Sequence, residues 1–180
     1  MALKPTIYKA DIELADSDRG CFESLALTIA LHPSETVERM ATRLLAYCLN
    51  VGRGLEFTRG LSTTDEPDIW RHSDSGELEL WIEIGQPEEP RLRKACGRAG
   101  AVKVYAFGKS ADTWWQLQGE AIRGLPRLAV WQFGWHEVQS LAGMLARTMQ
   151  LSVSVVGGVV YVDNGKESVS LEPVPLANQE

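Results

Sequence analysis

The sequence predicts a single-domain α/β protein in which one mixed β-sheet is flanked by helices. Between Leu78 and Phe133 the chain alternates strand, helix, strand, helix and strand, an order typical of parallel strands joined by crossover helices. Residues 4–31 and 151–171 are rich in alternating apolar positions, which predicts antiparallel strands added at both ends. The chain has 180 residues without internal repeats or linkers, so residues 1–180 are expected to form one domain.

The first part of the chain predicts a β-hairpin followed by a helix. Lys4–Ala15 and Cys21–Leu31 alternate apolar and polar residues around a polar loop that ends in glycine. Pro33 and Ser34 indicate a helix start, and Gly52 indicates its end. The apolar residues between them recur at helical spacing and form one core-facing side. They are Val37, Met40, Ala41, Leu44, Leu45 and Cys48.

The middle of the chain predicts strands separated by short turns and one helix. Leu55–Leu61 is expected to be a short strand, and Leu78–Ile84 alternates strictly, with aliphatic residues on one face. The other face of that strand carries Glu79, Trp81 and Glu83. Acidic residues before Pro90 favour a helix start, so a helix is expected over Pro90–Ala99. Ala101–Phe107 is β-branched and bounded by glycines, which predicts a buried strand.

The last third predicts two further helices and a β-rich end. Ser110 begins one helix, Arg127–Phe133 is a strand, and Trp135–Arg147 is the second helix. Three more strands are expected at residues 151–156, 159–162 and 168–171. Gly157 and Gly158 join the first two as a hairpin. Residues 172–180 are expected to be a poorly ordered tail.

Composition excludes several classes of protein. Apolar residues make up 44% of the chain and charged residues 23%, which is typical of a globular protein. No run approaches the roughly 18 apolar residues of a membrane span, and the N-terminus lacks the apolar core of a signal peptide. The net charge of −6 predicts no broad attraction to nucleic acid or anionic membranes. Any contact with nucleic acid therefore has to use a local basic patch. We expect a cytoplasmic protein without membrane partners, and the sequence identifies no protein partner.

Histidine and cysteine patterns argue against zinc and disulfides. The three cysteines are odd in number and lack ligand spacing, so buried free thiols are expected. The three histidines are far apart in the sequence. The chain also contains no GxxxxGK[ST], GxGxxG or GxSxG motif, which excludes the commonest nucleotide-binding and acyl-transfer signatures.

The segment from Asp65 to Lys109 changes the sign of its charge abruptly. Residues 65–89 contain nine acidic residues and one base, whereas residues 91–109 contain six bases and no acid. Two exposed faces joined by ordinary ion pairs would produce the same pattern. Carboxylates placed beside cations also suit metal-assisted chemistry on phosphate.

Two carboxylates within this segment form a candidate metal site. Asp68 follows Pro67, and Glu83 lies on the alternating strand after fourteen intervening residues. Side chains at adjacent strand ends could hold a hard cation such as Mg²⁺ through oxygen ligands. Asp68 could equally be a turn or cap residue, and Glu83 a solvated strand residue. Glu79 shares the face of Glu83 and is an alternative second acid.

Several blocks spread over the chain resemble the YaeQ family of small bacterial proteins. They are MALKPTIYKAD, LHPSETVERM, FTRGL, DEPDIW, LWIEIGQP, RLRKAC and the pair Trp114-Trp115. The Pro67-Asp68 and Glu83 pattern itself resembles the motif of the PD-(D/E)xK nuclease superfamily, to which the YaeQ family is related in fold. The resemblance implies a restriction-endonuclease-like core with added antiparallel strands.

The same resemblance implies roles for individual residues. Asp68 and Glu83 would bind Mg²⁺, and Glu38 on the first helix would assist them. The motif lysine, two residues after the acid, is replaced by Gly85. Lys94 on the next helix is the candidate substitute.

The basic residues around the candidate site have more than one interpretation. Arg59, Arg91 and Arg98 are candidate phosphate-binding residues. Arg59 could instead pair with Glu56 or with an acid of the segment from Asp65 to Lys109, and the stripe formed by Arg91, Lys94 and Arg98 could face water. One of the two adjacent tryptophans could stack on a base, although burial against the sheet explains both.

Two functions follow from these expectations. The first is a Mg²⁺-dependent nuclease-like enzyme that hydrolyses a DNA or RNA phosphodiester, with Glu38, Asp68, Glu83 and Lys94 as catalytic residues. The alternative is a catalytically inactive binding or regulatory protein on the same fold. The glycine at position 85 and the negative net charge favour this alternative.

Overall fold

The computed structural model describes residues 3–59 and 65–178. In chain order its elements begin with β1 (Thr6–Asp16), β2 (Cys21–Leu31), α1 (Val37–Leu49), β3 (Leu55–Phe57), β4 (Ile69–His72), β5 (Leu78–Ile84), α2 (Glu89–Cys96) and β6 (Ala101–Ala106). They continue with α3 (Ala111–Arg123), β7 (Leu128–Gln132), α4 (Trp135–Met144), β8 (Thr148–Val156), β9 (Val159–Asp163), β10 (Ser168–Leu171) and β11 (Val174–Asn178). The α/β class and most predicted elements are confirmed.

The strands form two sheets, where the sequence predicts one. The chain divides into two compact units, each built around its own sheet. Unit 1 consists of residues 1–49 and 134–173, and unit 2 of residues 50–133 and 174–180. The prediction of one mixed sheet was wrong because strand periodicity shows which residues are extended but not which strands pair.

Unit 1 contains a five-stranded sheet in the order β10-β9-β8-β1-β2. β1 pairs antiparallel with β2 over eleven residues and parallel with β8, while the remaining pairs are antiparallel. The apolar side of α1 predicted from the sequence is buried at Met40, Ala41, Leu44, Leu45 and Cys48. This unit also contains Glu38, in the first turn of α1.

Unit 2 contains a six-stranded sheet in the order β11-β7-β6-β5-β4-β3. The crossover helices α2 and α3 join the parallel strands β5, β6 and β7, as the alternation of elements predicts. Both helices pack on one face of this sheet, in an apolar cluster that includes Trp81, Leu92, Val104, Trp114 and Ile122. β4 pairs antiparallel with β5, and this pair positions the candidate site.

Several predicted boundaries differ from the structure, and the helix expected over Pro90–Ala99 spans Glu89–Cys96. Residues 174–178 form β11, which pairs with β7, so the prediction of a poorly ordered tail was wrong there. Proline can occupy an edge strand at an irregular position, and the register shift between Pro175 and Ala177 lies at such a place. α4 ends at Met144 rather than Arg147, and β8 begins at Thr148, because Lys9 of β1 pairs with that residue. The strand predicted for Leu55–Leu61 ends at Phe57, and its last two residues lie outside the described chain.

No helix among the described residues combines the length and apolar character needed to cross a membrane.

Candidate metal site on β4 and β5

Asp68 and Glu83 lie side by side at one end of the β4–β5 pair. Ile69 of β4 is opposite Ile82 of β5 in an antiparallel pair. Asp68, which precedes Ile69, is therefore a neighbour of Glu83, which follows Ile82. Both carboxylates are buried, with residual exposures of 3% for Asp68 and 5% for Glu83. The structure therefore brings together the two acids that the sequence predicts to bind metal.

Backbone hydrogen bonds hold Asp68 against β5. Its N–H donates to the carbonyl oxygen of Ile82 at 3.0 Å. Its carboxylate oxygen Oδ2 accepts a hydrogen bond from the N–H of Ile84 at 2.8 Å. The side chain thus satisfies a buried backbone donor at the strand end, which is where an aspartate can replace a missing strand partner.

Glu83 is held by one aromatic residue and one cation. Its Oε1 accepts hydrogen bonds from Nε1 of Trp81 and from Nε of Arg91, both at 2.8 Å. Burial raises the pKa of Glu83 above its ordinary value, and the neighbouring Asp68 carboxylate raises it further. The Arg91 guanidinium and the two hydrogen bonds oppose these effects and lower the pKa.

Trp81 also shows why this strand face is covered. The sequence predicts a half-polar face, yet Trp81 is only 3% exposed because β5 is an inner strand covered by α2. The indole packs in the apolar cluster while its N–H reaches Glu83. The spacing of Trp81 and Glu83, two residues apart on one strand, was the sequence signal for this hydrogen bond.

Basic residues in and just after α2 contact the segment that leads into β4. Nη2 of Arg91 donates to the carbonyl oxygen of Glu66 at 2.9 Å, and Nη1 of Arg98 donates to that of Asp65 at 2.9 Å. Lys94 is 72% exposed, and its Nζ lies 4.0 Å from the carboxylate of Asp65. The cation bonded to the candidate ligands is therefore Arg91, whereas Lys94 pairs with a surface acid.

Glu38 belongs to unit 1, and the other three predicted catalytic residues belong to unit 2. Its side chain is half-buried, and its backbone carbonyl accepts a hydrogen bond from Oγ1 of Thr42 at 3.0 Å. The alternative acid Glu79 is 44% exposed and forms an ion pair with Arg71 at 3.1 Å. Its surface position separates it from the buried pair.

The remaining candidates have partners of their own. Arg59 is exposed, and its backbone N–H donates to Oε2 of Glu66 at 3.4 Å. Glu56, the predicted partner of Arg59, accepts a hydrogen bond from Nε1 of Trp70. Trp114 is buried and donates to the carbonyl of Pro87. The Trp115 ring lies under the guanidinium of Arg123, with 5.1 Å between Cζ and the ring centroid.

The donor set suits a hard divalent cation held partly by water. Within residues 3–59 and 65–178, no group of three or more His, Cys, Asp and Glu side chains could hold a metal ion. Mg²⁺ commonly uses one or two carboxylates and completes its octahedron with water and substrate phosphate. Asp68 and Glu83 are two carboxylates, the number that such a site can use.

Comparisons with known proteins identify close relatives over nearly the whole chain. A sequence model of the family described as YaeQ protein matches residues 1–173. Uncharacterized YaeQ proteins from Salmonella typhi and Escherichia coli are 40% and 39% identical to the chain, with 96% and 95% of each sequence covered. The crystal structure of YaeQ from Xanthomonas axonopodis pv. citri has a TM-score of 0.93 at 38% identity, covering 97% of this chain and 99% of that one. The corresponding structure from Pseudomonas syringae has the same TM-score at 34% identity, covering 97% of both chains.

Proposed function

The chain belongs to the YaeQ protein family, and we propose that unit 2 carries a Mg²⁺-dependent nuclease site of the PD-(D/E)xK type. The observation that supports this proposal is the burial of two carboxylates on neighbouring strand ends. Two like charges removed from water repel each other, and this arrangement costs free energy. Buried pairs of carboxylates occur often at functional sites, where a bound cation can offset this cost.

In this proposal Asp68 and Glu83 hold the metal, and α2 supplies the positive charge. Bound Mg²⁺ would polarise a phosphodiester and lower the pKa of a coordinated water. Arg91 takes over the task expected of Lys94, because its guanidinium already lies beside Glu83. It orients that carboxylate and stabilises negative charge that develops next to it.

The substrate class follows from the same chemistry. Two carboxylates fill only part of the coordination shell of Mg²⁺. The oxygen atoms of a phosphodiester would fill some of the remaining positions. Because the net charge of the chain is −6, recognition has to depend on local cations rather than on the overall field. We place this activity in the cytoplasm, where the buried free thiols of Cys48 and Cys96 stay reduced.

The second candidate is a catalytically inactive binding or regulatory protein. One observation favours it: Arg91 is already the counter-ion of Glu83, with 2.8 Å between Nε and Oε1. An internal ion pair can satisfy a buried carboxylate permanently. Gly85, in the position of the motif lysine, also removes the usual catalytic cation.

Metal binding and hydrolysis together separate the two candidates. Calorimetric titrations with Mg²⁺ and Mn²⁺ should compare the wild type with Glu83→Gln and with Glu79→Gln. The second variant is a matched control, because Glu79 lies on the same strand but pairs with Arg71 at the surface. Hydrolysis of single-stranded DNA, double-stranded DNA and RNA should be followed with Asp68→Asn as the inactive reference.

Metal binding and hydrolysis that disappear in Asp68→Asn and Glu83→Gln but persist in Glu79→Gln would support the nuclease. Wild-type protein that neither binds the metals nor cleaves any substrate would support the inactive alternative. Equal cleavage by the wild type and Asp68→Asn would assign the activity to another part of the chain or to a contaminant.

A further inference from the structure

The segment that leads into β4 is held at every backbone carbonyl. The carbonyl oxygens of residues 65–68 each accept a hydrogen bond. In chain order the donors are Nη1 of Arg98 at 2.9 Å, Nη2 of Arg91 at 2.9 Å, the hydroxyl of Thr58 and the backbone N–H of Thr58 at 3.1 Å. Arg91 of α2, Arg98 just after that helix and Thr58 after β3 thus bind four consecutive peptide groups.

Side chains take the place of strand partners in this segment. Residues 65–68 precede β4 and lie outside the regular sheet. Irregular backbone near a buried site needs donors for its carbonyl groups, and charged donors form the stronger bonds. Arg98 is itself oriented, because its Cζ lies 5.0 Å from the centroid of the Trp81 ring.

We infer that Thr58, Arg91 and Arg98 form a clamp that positions the Asp68 carboxylate at the candidate metal site. Arg98 and Thr58 are positioning residues, since each acts on Asp68 through the backbone of residues 65–68. Arg91 belongs to the clamp and also contacts Glu83 directly. Two of the three guanidinium groups predicted to bind phosphate, those of Arg91 and Arg98, thus donate to the protein backbone.

This role connects the charge change in the sequence with the site. The acidic residues 65–89 include the candidate ligands, and the basic residues 91–109 include the two cations that hold the ligand-bearing backbone. Arginine suits this task better than lysine because its planar guanidinium can donate to a carbonyl while it stacks on an indole. The importance of the clamp for activity rests on the proposed nuclease site, but the clamp itself can be tested without metal or substrate.

Hydrogen exchange of one backbone amide reports the position of Asp68. The N–H of Ile84 donates to Oδ2 of Asp68, whereas the next amide, that of Gly85, donates to the carbonyl of Tyr105 in β6. In the full-length chain, exchange at both amides can be measured by NMR. We expect Arg98→Ala to accelerate exchange at Ile84 on the order of tenfold and to leave Gly85 unchanged.

Thr58→Val tests the clamp from its other side, because it removes the hydroxyl donor at nearly constant shape. The same selective acceleration at Ile84 is expected. Arg93→Ala is the matched control: Arg93 lies five residues before Arg98, in α2, is 71% exposed and pairs with Glu89 of the same helix. It should leave both amides at the wild-type rate.

Unchanged exchange at Ile84 in both Arg98→Ala and Thr58→Val would overturn the inference. Equal acceleration at Ile84 and Gly85 would also overturn it, because it would indicate general loosening of the strand end. If Arg98→Ala does not fold, Arg98→Lys and Thr58→Val provide the same comparison. A wild type that cleaves no substrate would refute the nuclease proposal but would not affect this result.

Discussion

Replacing Arg91 by alanine should expose the cost of burying Glu83. The substitution removes the guanidinium that donates to Oε1 of Glu83 and to the carbonyl oxygen of Glu66. Glu83 then keeps the indole of Trp81 as its donor and the repulsive Asp68 carboxylate as its neighbour. A buried charge that loses its counter-ion destabilises the folded state strongly.

The magnitude follows from the exposure of the two partners. Breaking a fully buried ion pair costs about 3–5 kcal/mol. The side chain of Glu83 is 7% exposed but that of Arg91 is 36% exposed, so solvent screening reduces the loss to roughly 2 kcal/mol. The lost bond to Glu66 adds about 1 kcal/mol. We expect the free energy of unfolding to fall by about 3 kcal/mol in Arg91→Ala.

A neutral residue at position 83 isolates the charge effect. In a Glu83→Gln background the repulsion and the unpaired charge are absent, so Arg91→Ala should cost only about 1 kcal/mol, from the bond to Glu66. The expected coupling energy between the two positions is therefore about 2 kcal/mol. Urea unfolding of the four proteins at pH 8, followed by tryptophan fluorescence, measures it.

The pH dependence gives an independent check with a defined sign. The pKa of Glu83 in the folded protein is raised from 4.5, so the folded state holds this proton more tightly than the unfolded state. Stability therefore falls as pH rises from about 4.5 through the raised pKa. Arg91→Ala raises that pKa further, so its loss of stability should be largest above the pKa and shrink in acid. Equal losses in both backgrounds, or a loss that grows as pH falls, would refute the reasoning.

Three further predictions concern neighbouring features. Lys94→Ala should change the free energy of unfolding by less than about 1 kcal/mol and leave any hydrolysis unchanged, because the pair with Asp65 is at the surface. Gly85→Lys should lower the melting temperature and should not increase hydrolysis, with Gly85→Ala as the comparison that separates backbone strain from charge. Deletion of residues 174–180 removes β11 and the contacts of Leu176 and Ala177 with the apolar cluster, so a loss of more than about 2 kcal/mol is expected in urea unfolding. An unchanged midpoint in the deletion variant would show that β11 contributes little.

Most of the secondary structure could be predicted from the local periodicity of apolar residues. The hairpin of β1 and β2, the buried side of α1 and the bounds of β5 follow from spacing that reflects the repeat of each element. Pairing between distant strands does not follow in this way. β1 pairs with β8, more than a hundred residues away, so the division into two sheets depends on contacts that no local pattern encodes. β11 was missed because chain termini are often poorly ordered and because its partner strand β7 cannot be identified from local sequence.

The sequence predicted that Asp68 and Glu83 would be neighbours, but not which cation would lie beside them. Asp68 and Glu83 follow from a motif that places acids on neighbouring strands, and the register of β4 and β5 makes them neighbours. The sequence predicts Arg91, Lys94 and Arg98 on one side of a helix, although α2 ends at Cys96, and it cannot tell which of them reaches the sheet. Arg91 does so because it lies in the first turn of α2, which follows β5 after a short connection. Lys94 is one turn later and faces solvent.

The glycine at position 85 has a conformational reason. Its φ angle is +107°, in a region that side chains other than glycine rarely adopt. A Cβ at this position would meet no described atom within 4 Å, so the constraint is the backbone conformation rather than space. The N–H of Gly85 donates to the carbonyl of Tyr105 at 2.9 Å, and the chain then leaves the sheet towards α2. A lysine would strain this turn, so a cation beside Glu83 has to come from the helix that the turn leads into, as Arg91 does.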